Sequence, residues 1–255
     1  MRALRFSRGD FRIWVYTGAV AGLSQDQKRE LLANVPLFNG LGARELDALI
    51  PVARTVSLKN REELFHKGDE GAQVYVVICG KLKALTTSDD GDDVVFSILG
   101  PGEVLGEIAL LGATPRTATV TAIDASELLI IDRRDFLSFL RSHPDVAIKL
   151  LDVLAQRMKR VSELVEDTLF LNLPLRLAKK LVSLSQAYGQ PHAQGLRLDL
   201  KLSQEEWGDL VGTTRESINK QLRAWTEKGL ITVDHGYIVI HDRSELEKLA
   251  GAVVY

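Results

Sequence analysis

Between Val52 and Ile131 the apolar positions fall in short runs of β type. VARTVSL, VYVVICGKLKAL, DVVFSIL, TATVTAI and ELLII are separated by Gly68-Asp69, Asp89-Asp90-Gly91 and Gly100-Pro101-Gly102. Many short strands with Gly/Asp turns predict a small antiparallel barrel or jelly roll. On either side the spacing becomes helical. Residues 24–34 and 42–50 predict short amphipathic helices, the first capped by Ser24. After Asp132 a short helix is expected to about Arg141, and a long one from Pro144, a residue suited to a first helical position.

In the long helix Ala147, Leu151, Leu154, Met158, Val161, Val165 and Thr168 are spaced 4, 3, 4, 3, 4, 3. That heptad seam, flanked by Arg157, Lys159, Arg160, Glu163 and Glu166, predicts a parallel contact with a second copy rather than packing on the chain's own barrel. Leu151, Leu154, Met158, Val161 and Val165 are its expected interface residues. Asn172-Leu173-Pro174 marks a boundary, with Asn172 the cap of a helix over 174–188, and Gly189 to Gly195, containing Pro191, reads as a loop.

Leu202 to Ile231 then splits into two helices. Ser203 and Glu206 form a capping box for the first. Gly208 allows close helix–helix approach, Gly212 suits a tight turn, and Thr214 caps the second helix. There Ile218, Leu222 and Trp225 lie at i, i+4 and i+7 and are expected to be buried. That leaves Arg215, Glu216, Ser217, Asn219, Lys220 and Arg223 outward. This is a helix-turn-helix pattern, whose second helix enters the DNA major groove N-terminus first. ITVDHGYIVI follows as a hairpin turning near His235-Gly236, the wing of a winged helix. The predicted fold class is therefore α+β: a β-roll, a long helix, and a winged helix-turn-helix. Charge alone does not decide for DNA, since Thr214–Lys228 carries four basic residues against two acidic ones. Caps, glycines, recognition-helix pattern and hairpin agree with one another.

The densest chemistry lies in GEIALLGATPRTATV, Gly106 to Val120. A glycine-led turn precedes a carboxylate and a short apolar helical turn, and an Arg-Thr pair follows nine residues after the carboxylate. A carboxylate can accept from a ribose hydroxyl, free N–H groups at a helix start can hold an anion, and a guanidinium can clamp a phosphate. The set suits a cyclic sugar-phosphate.

Composition narrows the picture without adding to it. At 255 residues, 45% hydrophobic and 26% charged, the chain is of soluble globular type with room for two domains. The single cysteine, Cys79, excludes an intrachain disulfide framework and four-cysteine zinc or iron–sulfur sites, and fits a reducing cytoplasm. Five histidines show no metal spacing, and there is no nucleophile elbow or phosphate-loop lysine motif, so no metal and no catalysis are expected. Arg2, Arg5, Arg8 and Arg12 precede the apolar run Ile13 to Leu23, which resembles a short secretory signal. It is too short to span a bilayer, and Asp10 sits awkwardly in a basic leader, so residues 1–23 read as an N-terminal extension.

The barrel, long helix and winged helix-turn-helix, in this order, resemble the cyclic-AMP receptor protein/FNR (Crp/Fnr) superfamily of bacterial transcription regulators, over roughly residues 30–245. LFHKGDEGAQVYVVICGKLKAL is similar to the family's early barrel strands, GEIALLGATPRTATV to the phosphate-binding cassette of its cyclic-nucleotide-binding members, and TTRESINK to its recognition helix. The resemblance implies a homodimer responding to cAMP or cGMP, binding palindromic DNA and acting with RNA polymerase. It implies domains at 24–143 (β-roll), 144–171 (dimerisation helix) and 172–255 (DNA binding).

By the same resemblance Gly106 admits the ligand, Glu107 accepts from the ribose 2′-hydroxyl, and the amides of Ile108 and Ala109 face the phosphate. Arg116 pairs with its charge, and Thr117 offers a hydroxyl and an N–H. Where the cyclic-AMP receptor protein places a threonine and a serine against adenine, this chain has Val161 and Ser162. Valine cannot bond an exocyclic amine. A threonine at the place of Thr117 favours guanine in cyclic-GMP-dependent kinases and channels, so both bases stay in play. The DNA-contacting set is Thr214, Arg215, Glu216, Ser217, Asn219 and Lys220, with Arg215 and Glu216 matching the readers of guanine and cytosine. Lys220 stands where arginine is usual and lacks its planar fork. Rival readings are a family member with another effector or none, such as haem held by His66, and a nucleotide-binding module serving a protein partner.

Overall fold

Strand periodicity alone would leave one face of each strand wet, and the computed structural model shows how this chain avoids that in its central strand. The structure describes residues 2–8, 11–17 and 25–251, with side chains from 25 onward. Strands β1 (Arg2–Arg8) and β2 (Phe11–Thr17) pair antiparallel. Ser24 and its predicted cap lie outside the described residues. Helices α1 (Gln25–Ala33) and α2 (Ala43–Leu49) follow.

The roll comprises β3 (Ala53–Leu58), β4 (Glu63–Phe65), β5 (Gln73–Cys79), β6 (Leu82–Thr87), β7 (Asp93–Leu99), β8 (Val104–Leu105), β9 (Thr119–Ala122) and β10 (Ser126–Asp132), with α3 (Glu107–Gly112) between β8 and β9. Two four-stranded sheets form, in the orders β3-β10-β5-β8 and β4-β9-β6-β7. Side chains alternate across β5 with period two. Val74, Val76 and Ile78 face a core shared with Leu32, Phe38, Leu49 and, from the following helix α4 (Arg133–Ser142), Phe136. Tyr75 and Val77 face the interior of the roll with Leu82, Leu105, Val120 and Leu128. Burial on both faces explains the unbroken apolar run VYVVIC, which is not the alternation of a half-wet strand.

Helix α5 (Pro144–Phe170) begins at its proline and ends ahead of the Asn172 cap of α6 (Leu173–Tyr188), where the Asn172 side chain accepts from the Leu175 amide at 3.2 Å. One sequence expectation fails here. Gly189–Gly195 is no loop: β11 (Gly189–His192) and β12 (Gly195–Leu198) form a hairpin. Pro191 obscured it, and is tolerated because β11 is the edge of the sheet β11-β12-β14-β13. The last elements are α7 (Gln204–Val211), α8 (Arg215–Glu227), β13 (Ile231–Asp234), β14 (Tyr237–Ile240) and α9 (Arg243–Gly251).

The chain divides into two compact units. One runs to Thr86 and resumes at Ser97–Met158; the other takes Thr87–Phe96 and the chain from Lys159 onward. Among the described residues no helix is long and apolar enough to cross a membrane, and no group of His, Cys, Asp and Glu could hold a metal ion.

Candidate functional site

Gly106 is the pivot of the cassette. Its φ of +82° lies in the left-handed region, and an added Cβ would collide with the Arg116 guanidinium and lie 2.9 Å from the Gln73 carbonyl oxygen. Helix α3 starts directly after it. The first intrahelical bond runs from the Leu110 amide to the Gly106 carbonyl at 3.2 Å, so the amides of Ile108 and Ala109 precede the ladder. Arg133 fixes the other end, donating from Nε to the Leu110 carbonyl at 2.7 Å.

The two charged cassette residues are buried, not displayed. Glu107 is 0% exposed and Arg116 4%. They are not each other's ion-pair partner. Glu107 Oε1 is paired with Arg157 of α5, whose side chain is 21% exposed and which also donates to the Val104 carbonyl. Glu107 Oε2 has no hydrogen-bond partner. Arg157 flanks the seam, and its ion pair with Glu107 is the contact of the site that the sequence pattern does not announce. The overlooked signal is its place one helical turn before Val161, on the same side of α5.

Arg116 is anchored at its backbone to the β4–β5 turn: its amide donates to the Asp69 carbonyl at 2.8 Å, and its carbonyl accepts from the Gly68 amide at 2.9 Å. Its Nη1 donates to two backbone carbonyls, Gln73 at 2.9 Å and Gly106 at 3.1 Å, while Nε is unpartnered. The guanidinium carbon lies 4.3 Å from the centre of the Phe65 ring and 5.4 Å from that of Tyr75. Burial pulls the guanidinium below its ordinary value and pushes the Tyr75 hydroxyl up, opposed in Tyr75 by the Arg116 charge. Thr117 and Ile108 are exposed. Val161 and Ser162 follow Arg157 by one turn on α5 and are also exposed.

Along α5, Leu151, Met158, Val161 and Val165 are exposed, Met158 by 73%, and Leu154 is half-buried. Ile148 and Leu169 widen this apolar band beyond the heptad. Ala147, the first seam residue, packs against the chain's own core instead.

In the second unit the helix-turn-helix assembles as its sequence predicts. Ser203 and Glu206 exchange the capping-box bonds at 2.8 and 3.2 Å. A Cβ on Gly208 would stand 2.6 Å from the Thr213 carbonyl oxygen, so only glycine lets the turn close on α7. Thr214 caps α8, accepting from the Ser217 amide at 3.3 Å. Ile218, Leu222 and Trp225 are buried, while Arg215, Glu216, Asn219, Lys220 and Arg223 are exposed and Ser217 is half-exposed. The β13–β14 hairpin turns at His235-Gly236.

Two family profiles match the chain: the cyclic nucleotide-binding domain over residues 55–143 and the Crp-like helix-turn-helix domain over residues 175–249. A CRP-like cAMP-activated global transcriptional regulator of Mycobacterium tuberculosis is 31% identical over 87% of this chain and 99% of its own length. The cyclic AMP receptor protein of Thermus thermophilus is 30% identical over 84% of this chain and 96% of its own. The fold is also that of the c-di-GMP responsive global regulator CLP of Xanthomonas campestris, with a TM-score of 0.71, 22% identity, and coverage of 79% of this chain and 100% of that one. The first of these relatives is named as a transcriptional regulator, not as an enzyme. With a nucleotide-binding roll and a Crp-like helix-turn-helix in one chain, and a regulator 31% identical over nearly its full length, the chain belongs to the Crp/Fnr superfamily of transcription regulators.

Proposed function

We propose that the protein is a homodimeric, cyclic-nucleotide-responsive regulator that binds a palindromic operator related to TGTGA…TCACA and acts with RNA polymerase. The observation that carries the effector is the pairing of a fully buried carboxylate oxygen without a partner, Glu107 Oε2, with a nearly buried cation, Arg116, beside a helix start. A buried unsatisfied acceptor and an incompletely bonded guanidinium match a ligand bringing one hydroxyl and one anion. A ribose 2′-hydroxyl donates to Glu107, and the cyclic phosphate meets Arg116, Thr117 and the amides of Ile108 and Ala109. The domains divide as β-roll to residue 143, dimerisation helix 144–171 and DNA-binding domain from 172. The exposed apolar band of α5 supports a second copy as its cover, since so long a stripe is unfavourable in water.

The nucleotide base reaches Val161 and Ser162, couples the cassette to the seam, and shifts the hinge at Phe170–Pro174 so that two recognition helices face successive major grooves. Thr214, Arg215, Glu216, Ser217, Asn219 and Lys220 contact the DNA, with looser discrimination where Lys220 reaches. Thr117 favours cGMP and Ser162 suits cAMP, so both are effectors to be compared. Calorimetry with the two nucleotides side by side, then salt-dependent promoter binding with each, tests the reading. It fails if neither nucleotide binds, or if Arg116→Ala leaves the nucleotide response intact. Binding selection returning a non-palindromic motif refutes the operator assignment, and a monomer in sedimentation refutes the dimer.

A further inference from the structure

Arg116 presents a physical difficulty. A guanidinium only 4% exposed has lost most of its water, and its carboxylate neighbour Glu107 is taken by Arg157. Two bonds from a single nitrogen to backbone carbonyls answer only part of its charge, and Nε has no partner. Beyond these it has the Tyr75 hydroxyl as a polar partner, the charges of Glu107 and Asp69 nearby, and two ring faces, Phe65 at 4.3 Å and Tyr75 at 5.4 Å. The negative face of an aromatic ring attracts a cation, and does so more strongly where water is excluded.

A strand bulge and a chain of side-chain hydrogen bonds hold these rings in place. In the β4–β9 pairing the register shifts between Glu63 and Phe65, and this bulge sets Phe65 opposite Val120. Bulges commonly re-aim a side chain beside a functional site. Phe65 and Tyr75 lie 5.7 Å apart, tilted at 35°. The Tyr75 hydroxyl donates to Gln73 Oε1 at 2.9 Å, and Gln73 Nε2 donates to Asp132 at 3.1 Å. The same Gln73 offers its backbone carbonyl to Arg116.

We infer that Phe65 and Tyr75 are positioning residues for Arg116, a π-faced cradle that keeps the guanidinium inside the roll before any anion arrives. The inference rests on the reading of Arg116 as the phosphate ligand. Without the ring faces the side chain gains by swinging out to water, and apparent affinity falls by the fraction of molecules in which it has left. The rings contribute no atom to the ligand; they set how often the cation is ready for it.

The test uses the full chain with whichever of cAMP or cGMP the wild type binds, measured by calorimetry. Phe65→Leu is expected to weaken binding by about 3- to 30-fold, the range of a desolvated cation–π contact. Phe65→Tyr, which keeps the face, is expected to stay within about twofold of wild type. A trifluorinated phenylalanine at position 65, nearly the same shape with a depleted face, is expected to fall between them, and it carries the test if Phe65→Leu does not fold. A fluorinated protein that binds like wild type overturns the inference, as does an equal loss in the leucine and tyrosine variants. Arg116→Ala binding as tightly as wild type would instead overturn the reading of the site itself.

Discussion

The cassette and the helix-turn-helix solve opposite problems. In the helix-turn-helix each polar cap finds its partner within three residues, as Ser203 with Glu206 and Thr214 with Ser217, and Arg215, Glu216, Asn219 and Lys220, proposed to contact DNA, are exposed. In the cassette the charged side chains are buried and are tied to partners far along the chain. Glu107 meets Arg157 fifty residues on, and Arg116 meets Gln73 forty-three residues back. A surface that must read a large partner can be built by local rules. A site that must enclose a small anion needs charges withdrawn from water, and these demand long-range compensation.

Breaking the long tie of the cassette should have the largest effect. Arg157→Ala leaves Glu107 buried without its cation and is expected to cost about 3–5 kcal/mol in urea unfolding, most of it restored in the double variant with Glu107→Gln. Next is Gly106→Ala. Its left-handed backbone and the Gln73 carbonyl at 2.9 Å predict a loss of about 1–3 kcal/mol, and displacement of Arg116 a nucleotide affinity at least about tenfold weaker by calorimetry. On the local side Thr214→Ala is expected to cost about 1 kcal/mol, seen as a lower urea midpoint and weaker operator binding. If it cost as much as Arg157→Ala, the contrast between the two regions would collapse.

The smallest effect probes a charge in the DNA-binding unit. Burial holds the Lys180 ammonium below its ordinary value, and Lys179 and Arg160 add to this, against Asp167 and Glu163. The folded state therefore releases this proton at lower pH than the unfolded chain. Below the folded value both states are charged and the burial penalty is constant; above it, up to the ordinary lysine range, the penalty is relieved and stability rises with pH. Lys180→Met should raise the neutral-pH melting midpoint by about 1–2 °C, with the gap to wild type narrowing under alkaline conditions.

What the sequence disclosed follows the same division. The i, i+4, i+7 set of Ile218, Leu222 and Trp225, the capping box, and the strands of the roll are written in short-range periodicity, and the structure places them as expected. Glu107 and Arg116 were legible as a pair of residue types at a spacing. Their burial was not, because it depends on the packing of β4, β5 and α5. Arg157 looked like one charge among several on a helix side, and Phe65 like an ordinary strand residue, since a bulge has no simple periodic signature. The β11 strand was hidden by Pro191, which ordinarily argues against pairing.

The two-sided burial of β5 has a consequence for how this regulator can change. Val74, Val76 and Ile78 belong to the helical core, Tyr75 and Val77 to the interior of the roll, and they alternate along one strand. A slip of one residue would exchange the two sets, so neither core can be redesigned or grafted alone. Tyr75, which also faces Arg116, places the proposed effector site on that shared wall. Any recombination of this sensor with a foreign helical layer must carry β5 across intact, as the indivisible part.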